Sequence, residues 1–402
     1  MMKVARGECL TYKANRERGR HGWLRLTPAY SVYLVEGLVA RCTRADLVLD
    51  PFCGTGTTAL ACAQSSIACD TVDINPFLVW LANAKCAAYP ATAIVDTQAA
   101  LAHALAGLDD SAASAWTPPI KDIEKWWEPA TLRLLGHVFA WIDGAADAAR
   151  DLLRVIFCRV MIGTAAVNFG HQSMSFKRRS QESFERTPAV HIRALFQRAA
   201  ADVLRSALDP AQPGLGRAYP GDARDLRAAL PREGYTAVIT SPPYPNRMSY
   251  IRELRPYMYW LGYLGSGRDA GELDWRAIGG TWGCATSNLM RWSPDPACRV
   301  PHAAFDDLVA RISERSDVLG LYVARYFEDV VRHVRSLVTV LAPGARVQYV
   351  VGNSKFYDVV LPTEAIYASI FREHGLDDVQ IAAIRKRTSK KELFEYIVSA
   401  HR

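Results

Sequence analysis

A chain of 402 residues, half of them apolar, can bury a large core and is expected to form more than one structural unit. No apolar run reaches the roughly 18 residues a membrane span needs, and the polar, basic start (Lys13, Arg16, Arg18, Arg20) lacks the apolar segment of a signal peptide. A cytoplasmic protein is expected. Its net charge of +7 permits a polyanionic partner without demanding one, and its nine scattered cysteines, with no C-x-x-C pair, read as buried free thiols, not as disulfides or a metal site.

After Pro28, the stretch Tyr30 to Val39 has apolar residues at helical spacing. It admits two readings, a plain helix leading into the first strand or a cofactor contact through Pro28 and Tyr30. An apolar strand then ends at Asp50-Pro51-Phe52 and runs into a turn, Cys53-Gly54-Thr55-Gly56, which opens a helix at Thr57-Thr58-Ala59. Gly54 and Gly56 permit a tight turn and close approach of a ligand. The helix start offers free N–H groups. A second strand, Ala68 to Val72, ends in Asp73, placed to accept from a ribose hydroxyl pair, with Asn75 just beyond it.

Gly54-x-Gly56-x-x-Ala59 followed by Asp73 also satisfies a dinucleotide fingerprint, so the first βαβ unit alone leaves NAD and other adenosine cofactors open. Asp50 separates them. An acid at that strand end would repel a pyrophosphate and would suit a cationic amino group. A cofactor with an ammonium and an adenosine but no phosphate is S-adenosyl-L-methionine.

Residues 92–216 read as a helical insertion, with helices over Ile123 to Ala140 and Ala146 to Val167. Trp126 and Trp127 suit packing better than base stacking. Within the insertion, Asn168 to Arg186 is polar and basic. It reads either as a solvated loop or, through Lys177, Arg178 and Arg179, as an element that tracks phosphates.

A further apolar strand, Tyr235 to Ile239, meets Thr240-Ser241-Pro242-Pro243-Tyr244. Neither proline can donate to a ladder, so the chain leaves the sheet there. Ligands of open α/β sheets bind at such carboxyl ends. Arg247, Arg252 and Arg255 follow and are expected to supply basic surface near the strand-end site. Residues 265–304 read as a loop-rich insertion that covers the site. Phe305 to Leu341 is helical. Pro343-Gly344 turns into a strand from Ala345 to Val351, Pro362 to His374 is a helix, and Val379 to Ile384 and Phe394 to Ser399 form a closing hairpin. With a short strand at Arg217 to Tyr219, the whole is an α/β fold, a doubly wound seven-stranded Rossmann-like sheet with a helical insertion. The expected units are 1–91 with the cofactor half, 92–216, 217–264 with the catalytic motif, 265–304, and 305–402 with the rest of the sheet.

Asp50-Pro-Phe-Cys-Gly-Thr-Gly-Thr-Thr resembles the cofactor motif of the exocyclic-amino DNA methyltransferases, and Ser241-Pro-Pro-Tyr resembles their catalytic motif. Gly221-Asp222-Ala223 resembles their adenine-contact segment. The resemblance implies a methyltransferase sheet with an antiparallel last strand, and S-adenosyl-L-methionine held by Asp50, Pro51, Phe52, Gly54, Gly56, Thr57, Thr58, Asp73, Asn75, Asp222 and Ala223. It implies duplex DNA with the target base flipped out, and a cognate restriction endonuclease as partner. The Pro-Cys of C5-cytosine enzymes, which supplies a covalent thiolate, is absent. An exocyclic amine needs no covalent step. Ser241 Oγ and the Pro242 carbonyl would accept its N–H groups and Tyr244 would stack on the ring. In the family, Ser before Pro-Pro usually accompanies cytosine N4, so cytosine N4 is expected. Adenine N6, or an RNA or tRNA amine on the same fold, are the alternatives. One departure stands out: the longest insertion falls between strands two and three and a shorter one follows Tyr244, so either is a candidate for reading DNA sequence.

Overall fold

The computed structural model describes residues 10–24, 26, 29–109, 111, 116–142, 144–168, 175–176, 188–209, 214–246, 249–281, 283, 285–387 and 392–402. Its centre is a seven-stranded sheet built from β1 (Leu47–Asp50), β2 (Ala68–Asp73), β3 (Gly216–Pro220), β4 (Tyr235–Thr240), β5 (Leu341–Gly352), β6 (Asp377–Lys386) and β7 (Phe394–His401), in the order β6-β7-β5-β4-β1-β2-β3. The first five strands run parallel to one another, and β7 is antiparallel to both β5 and β6. β1 and β4 are continuous apolar runs because helices cover both faces of a parallel sheet.

The strand order places the site. From β1 the chain works outward through β2 and β3, then returns to β4 and works outward the other way. The loops after the adjacent strands β1 and β4 therefore diverge, and the crevice between them is the topological switch point. Both motif loops of the sequence lie there.

The helices beside the sheet have legible causes. α1 (Val32–Val39) is capped by Ser31, and α3 (Pro76–Cys86) starts on Asn75, whose side chain accepts from Phe77 N, with Pro76 at its first position. α2 (Thr57–Gln64) lies between them. α4 (Ala91–Ala106), α5 (Pro129–Ile142), α6 (Asp147–Thr164) and α7 (Pro188–Ala207) form the insertion, in which α4 and α7 join the two helices that periodicity marks. Trp126 and Trp127 are buried in its core. The Trp127 indole N–H donates to the Met161 carbonyl at 2.9 Å, and its ring meets Trp260 edge-on. Truncating such a ring costs about 3–5 kcal/mol.

Two local readings change. Pro343 and Gly344 lie inside β5 and not before it: between Tyr235↔Leu341 and Ala237↔Arg346, two steps along β4 span five along β5. The surplus bulges at Gly344, whose φ is +76°. Residues 265–304 begin with a helix. After α8 (Tyr250–Trp260) comes α9 (Gly267–Arg276), nucleated by Ser266, which accepts from Asp269 N. The chain continues through α10 (Phe305–Ser313), α11 (Asp317–Val338) and α12 (Thr363–Glu373). Among the described residues, no helix is long and apolar enough to cross a membrane.

Candidate active site

A cavity of about 450 Å³ opens at the switch point. One end is lined by the loops after β1, β2 and β3, with Pro51, Phe52, Gly54, Asp73, Asn75, Asp222 and Ala223, together with Tyr30. The other end is lined by Ser241, Pro242, Pro243 and Tyr244 after β4. Motif residues spread over nearly half the chain thus share one space.

At the first end, the Asp73 carboxylate accepts from Gly54 N and from Asn75 N, both at 2.9 Å. It thereby fixes the glycine turn against the tip of β2. Burial lifts its pKa to about 6. The Asn75 side-chain oxygen is spent on Phe77 N, while its buried Nδ2 has no partner among the described residues. Such an orphaned donor beside a cavity is poised for a ligand. Asp222 grips its own neighbour Arg224, which donates to it from Nε and Nη2 at 2.9 and 2.7 Å. Burial would raise the Asp222 pKa, but the Arg224 fork holds it below the usual carboxylate range.

Asp50, Gly56, Thr57 and Thr58 do not line this cavity. Asp50 is fully buried and accepts from Thr58 Oγ1 at 2.6 Å, Thr240 Oγ1 at 2.5 Å and Phe52 N at 3.1 Å. It ties the ends of β1 and β4 together. Burial pushes its pKa up to about 7. Tyr30 hydrogen-bonds Thr58 from above. Gly56, at φ +75°, is required by packing: a Cβ there would lie 2.6 Å from Ala82 Cβ on α3. Lys85, also buried, donates to the Thr55 carbonyl at 2.9 Å and steadies the turn from behind.

At the other end, Ser241 Oγ donates to the Val350 carbonyl at 3.1 Å or to Tyr244 Oη at 3.4 Å. Tyr244 Oη donates to Glu395 Oε1 at 3.3 Å. Arg385 forks onto Glu395 at 2.6 and 2.8 Å, and the Arg387 guanidinium lies 5.0 Å from the centre of the Tyr244 ring. Gly352 makes room for both: a Cβ there would come within 2.9 Å of the Tyr244 ring and the Arg387 guanidinium. Tyr326 Oη donates to the Pro243 carbonyl at 2.6 Å, fixing the second proline.

Arg252 and Arg255 do not line the cavity, whereas Tyr250 and Ile251 on the same helix do. Arg255 instead lies over the Trp126 ring at 5.1 Å, and burial lowers its pKa. Pro28, Lys177, Arg178, Arg179 and Arg247 lie outside the described residues.

Two contributions escaped the sequence reading, and a third falls in the 265–304 segment expected to cover the site. Leu10, Thr11 and Lys13 form one wall. That segment is pinned by Asn15, which bonds the Tyr30 carbonyl and Val32 N, and by buried Arg20, which donates to the carbonyls of Lys85, Ala87, Ser206, Ala207 and Asp209. Residues 276–280 form a second wall, and Arg385, Arg387 and Glu395 a third. The signals for the two that were missed were weak: a basic start without periodicity, and charged residues in and beside a closing hairpin.

No family model matches the chain. A type II methyltransferase of Geobacillus stearothermophilus, M.BsoBI, is 35% identical over 69 residues. M.AvaI, a type II methyltransferase of Nostoc sp. and of Anabaena variabilis, is 30% identical over 69 residues. Each match covers 17% of this chain and 14% of the relative's length. Among solved structures, the rRNA methyltransferase aviRa from Streptomyces viridochromogenes aligns over 93% of this chain and 86% of its own, with 13% identity and a TM-score of 0.29.

Proposed function

We propose that this protein transfers a methyl group from S-adenosyl-L-methionine to an exocyclic amine of a flipped base in duplex DNA, with cytosine N4 as the acceptor. The observation that carries the reading is the single cavity at the switch point, with a ribose-type acid and an unpaired amide donor at one end and Ser241-Pro-Pro-Tyr244 at the other. The partial match to type II methyltransferases and the motif resemblance support the same chemistry. A cognate endonuclease as partner belongs to this reading.

The residues present fit the methyl donor. Asp73 suits a ribose hydroxyl pair, Asn75 Nδ2 a ligand acceptor, and the cavity lining at Phe52 and Ala223 a flat ring. His333 donates to the Ala223 carbonyl at 2.8 Å and packs edge-on against Phe52, so one buried imidazole touches both lining residues. When bound, S-adenosyl-L-methionine supplies an electrophilic methyl group on a sulfonium.

The protein's own part is positioning. Ser241 gives its proton to Val350 or Tyr244, which leaves its lone pairs to accept from the target amine. With the Pro242 carbonyl as second acceptor, the amine lone pair is freed from the ring and aimed across the cavity. The Tyr244 ring, held by Glu395 and Arg387, is the stacking platform. No cysteine is among the described residues lining the cavity, so attack through C5 lacks its thiolate.

Labelled donor, protein and mixed genomic DNA, followed by nucleoside digestion and mass spectrometry, test the proposal. N4-methyldeoxycytidine is the expected product. N6-methyldeoxyadenosine would keep the mechanism and replace the base, whereas label in added tRNA and none in DNA would overturn the DNA reading.

A further inference from the structure

We infer that Glu395 is the terminal proton acceptor of a hydroxyl relay that runs from Ser241 through Tyr244, an inference that rests on the amino-methyl transfer proposed above. The atoms lie in a row. Ser241 Oγ is 3.4 Å from Tyr244 Oη, which is 3.3 Å from Glu395 Oε1. These contacts are long for hydrogen bonds, as contacts of catalytic groups often are before substrate binds. Glu395 is buried, on a strand 151 residues beyond Tyr244 in sequence, and its partners hold it in place. Arg385 is paired with it across the β6–β7 ladder, and Arg387 lies over the Tyr244 ring. Tyr250, on α8, also lies beside Tyr244.

The chemistry needs such an acceptor. When the amine nitrogen bonds the methyl carbon, the electron pair of the broken carbon–sulfur bond stays on sulfur and the nitrogen becomes cationic, with one proton to lose. That proton passes to Ser241 Oγ as the Ser241 proton moves to Tyr244 Oη and the Tyr244 proton moves to Glu395. The amine and both hydroxyls end neutral, and the carboxylate ends protonated. Ser241 alone, a hydroxyl with no anionic partner, would have nowhere to send the charge. Its alternative bond to the Val350 carbonyl is a dead end, because a carbonyl cannot pass a proton on.

Tyr244→Phe removes one oxygen and keeps the ring for stacking, and Glu395→Gln keeps the shape and removes the charge. Single-turnover transfer with saturating donor and DNA is expected to fall about tenfold to a hundredfold in each, with Kd for donor and for DNA within about twofold of wild type. Because the two act in series, the double variant should be no slower than the slower single variant. In the free protein labelled with 13Cζ-tyrosine, the signal lost in Tyr244→Phe should move in Glu395→Gln, a readout that needs no turnover. If Glu395→Gln does not fold, the rate of Tyr244→Phe decides. Transfer by Tyr244→Phe within about twofold of wild type, additive losses, or an unmoved Tyr244 signal would overturn the relay and leave the proposed reaction standing. A wild-type protein that methylates no base would overturn both.

Discussion

The two ends of the cavity are built differently. The end with Asp73, Asn75 and Asp222 comes from three successive loops of one parallel half-sheet, each following its strand directly. The end with Ser241 and Tyr244 takes one loop from the sheet centre and its supporting groups, Arg385, Arg387 and Glu395, from the antiparallel pair at the sheet edge. A ligand that stays the same, such as a nucleoside, can be met by groups local in sequence. A reacting group whose charge changes calls for partners that only the assembled sheet brings together.

That contrast can be broken most sharply at Tyr244. Tyr244→Ala removes the proposed stacking platform, worth about 1–3 kcal/mol per base, so transfer should fall about tenfold to a hundredfold while donor affinity stays within about twofold. Steady-state kinetics alongside calorimetry checks the split, and equal losses in both would merge the two ends into one. Gly56→Ala probes the other end. Its strained φ and the 2.6 Å approach to Ala82 should destabilise the fold by about 1–3 kcal/mol, read as a lower Tm, with donor affinity lost before base affinity. The smallest effect is in pH. Asp73 is held at about 6 in the folded protein against 3.8 for the free side chain, so it keeps its proton to higher pH when folded. Its contribution to stability therefore declines as pH rises between those values. Donor affinity runs the opposite way, since ribose hydroxyls donate best to the ionised acid, and should weaken up to about tenfold from about pH 7 to about pH 5. An affinity flat across that range would remove Asp73 from the donor.

Much of the sheet was legible in the sequence because its strands are apolar runs bounded by turn residues, and because a strand's carboxyl end announces a site when glycines or prolines follow it. Asp50 shows the limit of that reasoning. Its place at a strand end suggested a ligand contact, yet two threonines and a backbone N–H claim its oxygens. Which way a side chain turns depends on neighbours such as Thr240 that are distant in sequence. Arg20 shows another limit: a basic residue in a basic segment reads as solvated, but five carbonyls gathered from α3 and α7 bury it. Glu395 is the hardest case, since its meeting with Tyr244 is set by the β5–β7 register, with Glu395 opposite Gly352. The missing Cβ at Gly352 is what lets the ring lie there.

The most direct test of the two-ended cavity is a calorimetric titration of S-adenosyl-L-homocysteine, the demethylated donor, into the wild-type protein, Asp73→Ala and Tyr244→Ala. The expected result is one site in the wild type, nearly the same affinity in Tyr244→Ala, and a loss of about a hundredfold in Asp73→Ala, the scale of two hydrogen bonds to a charged acceptor. Binding that ignores Asp73, or that Tyr244→Ala abolishes equally, would contradict the division of the cavity into a donor end and a base end.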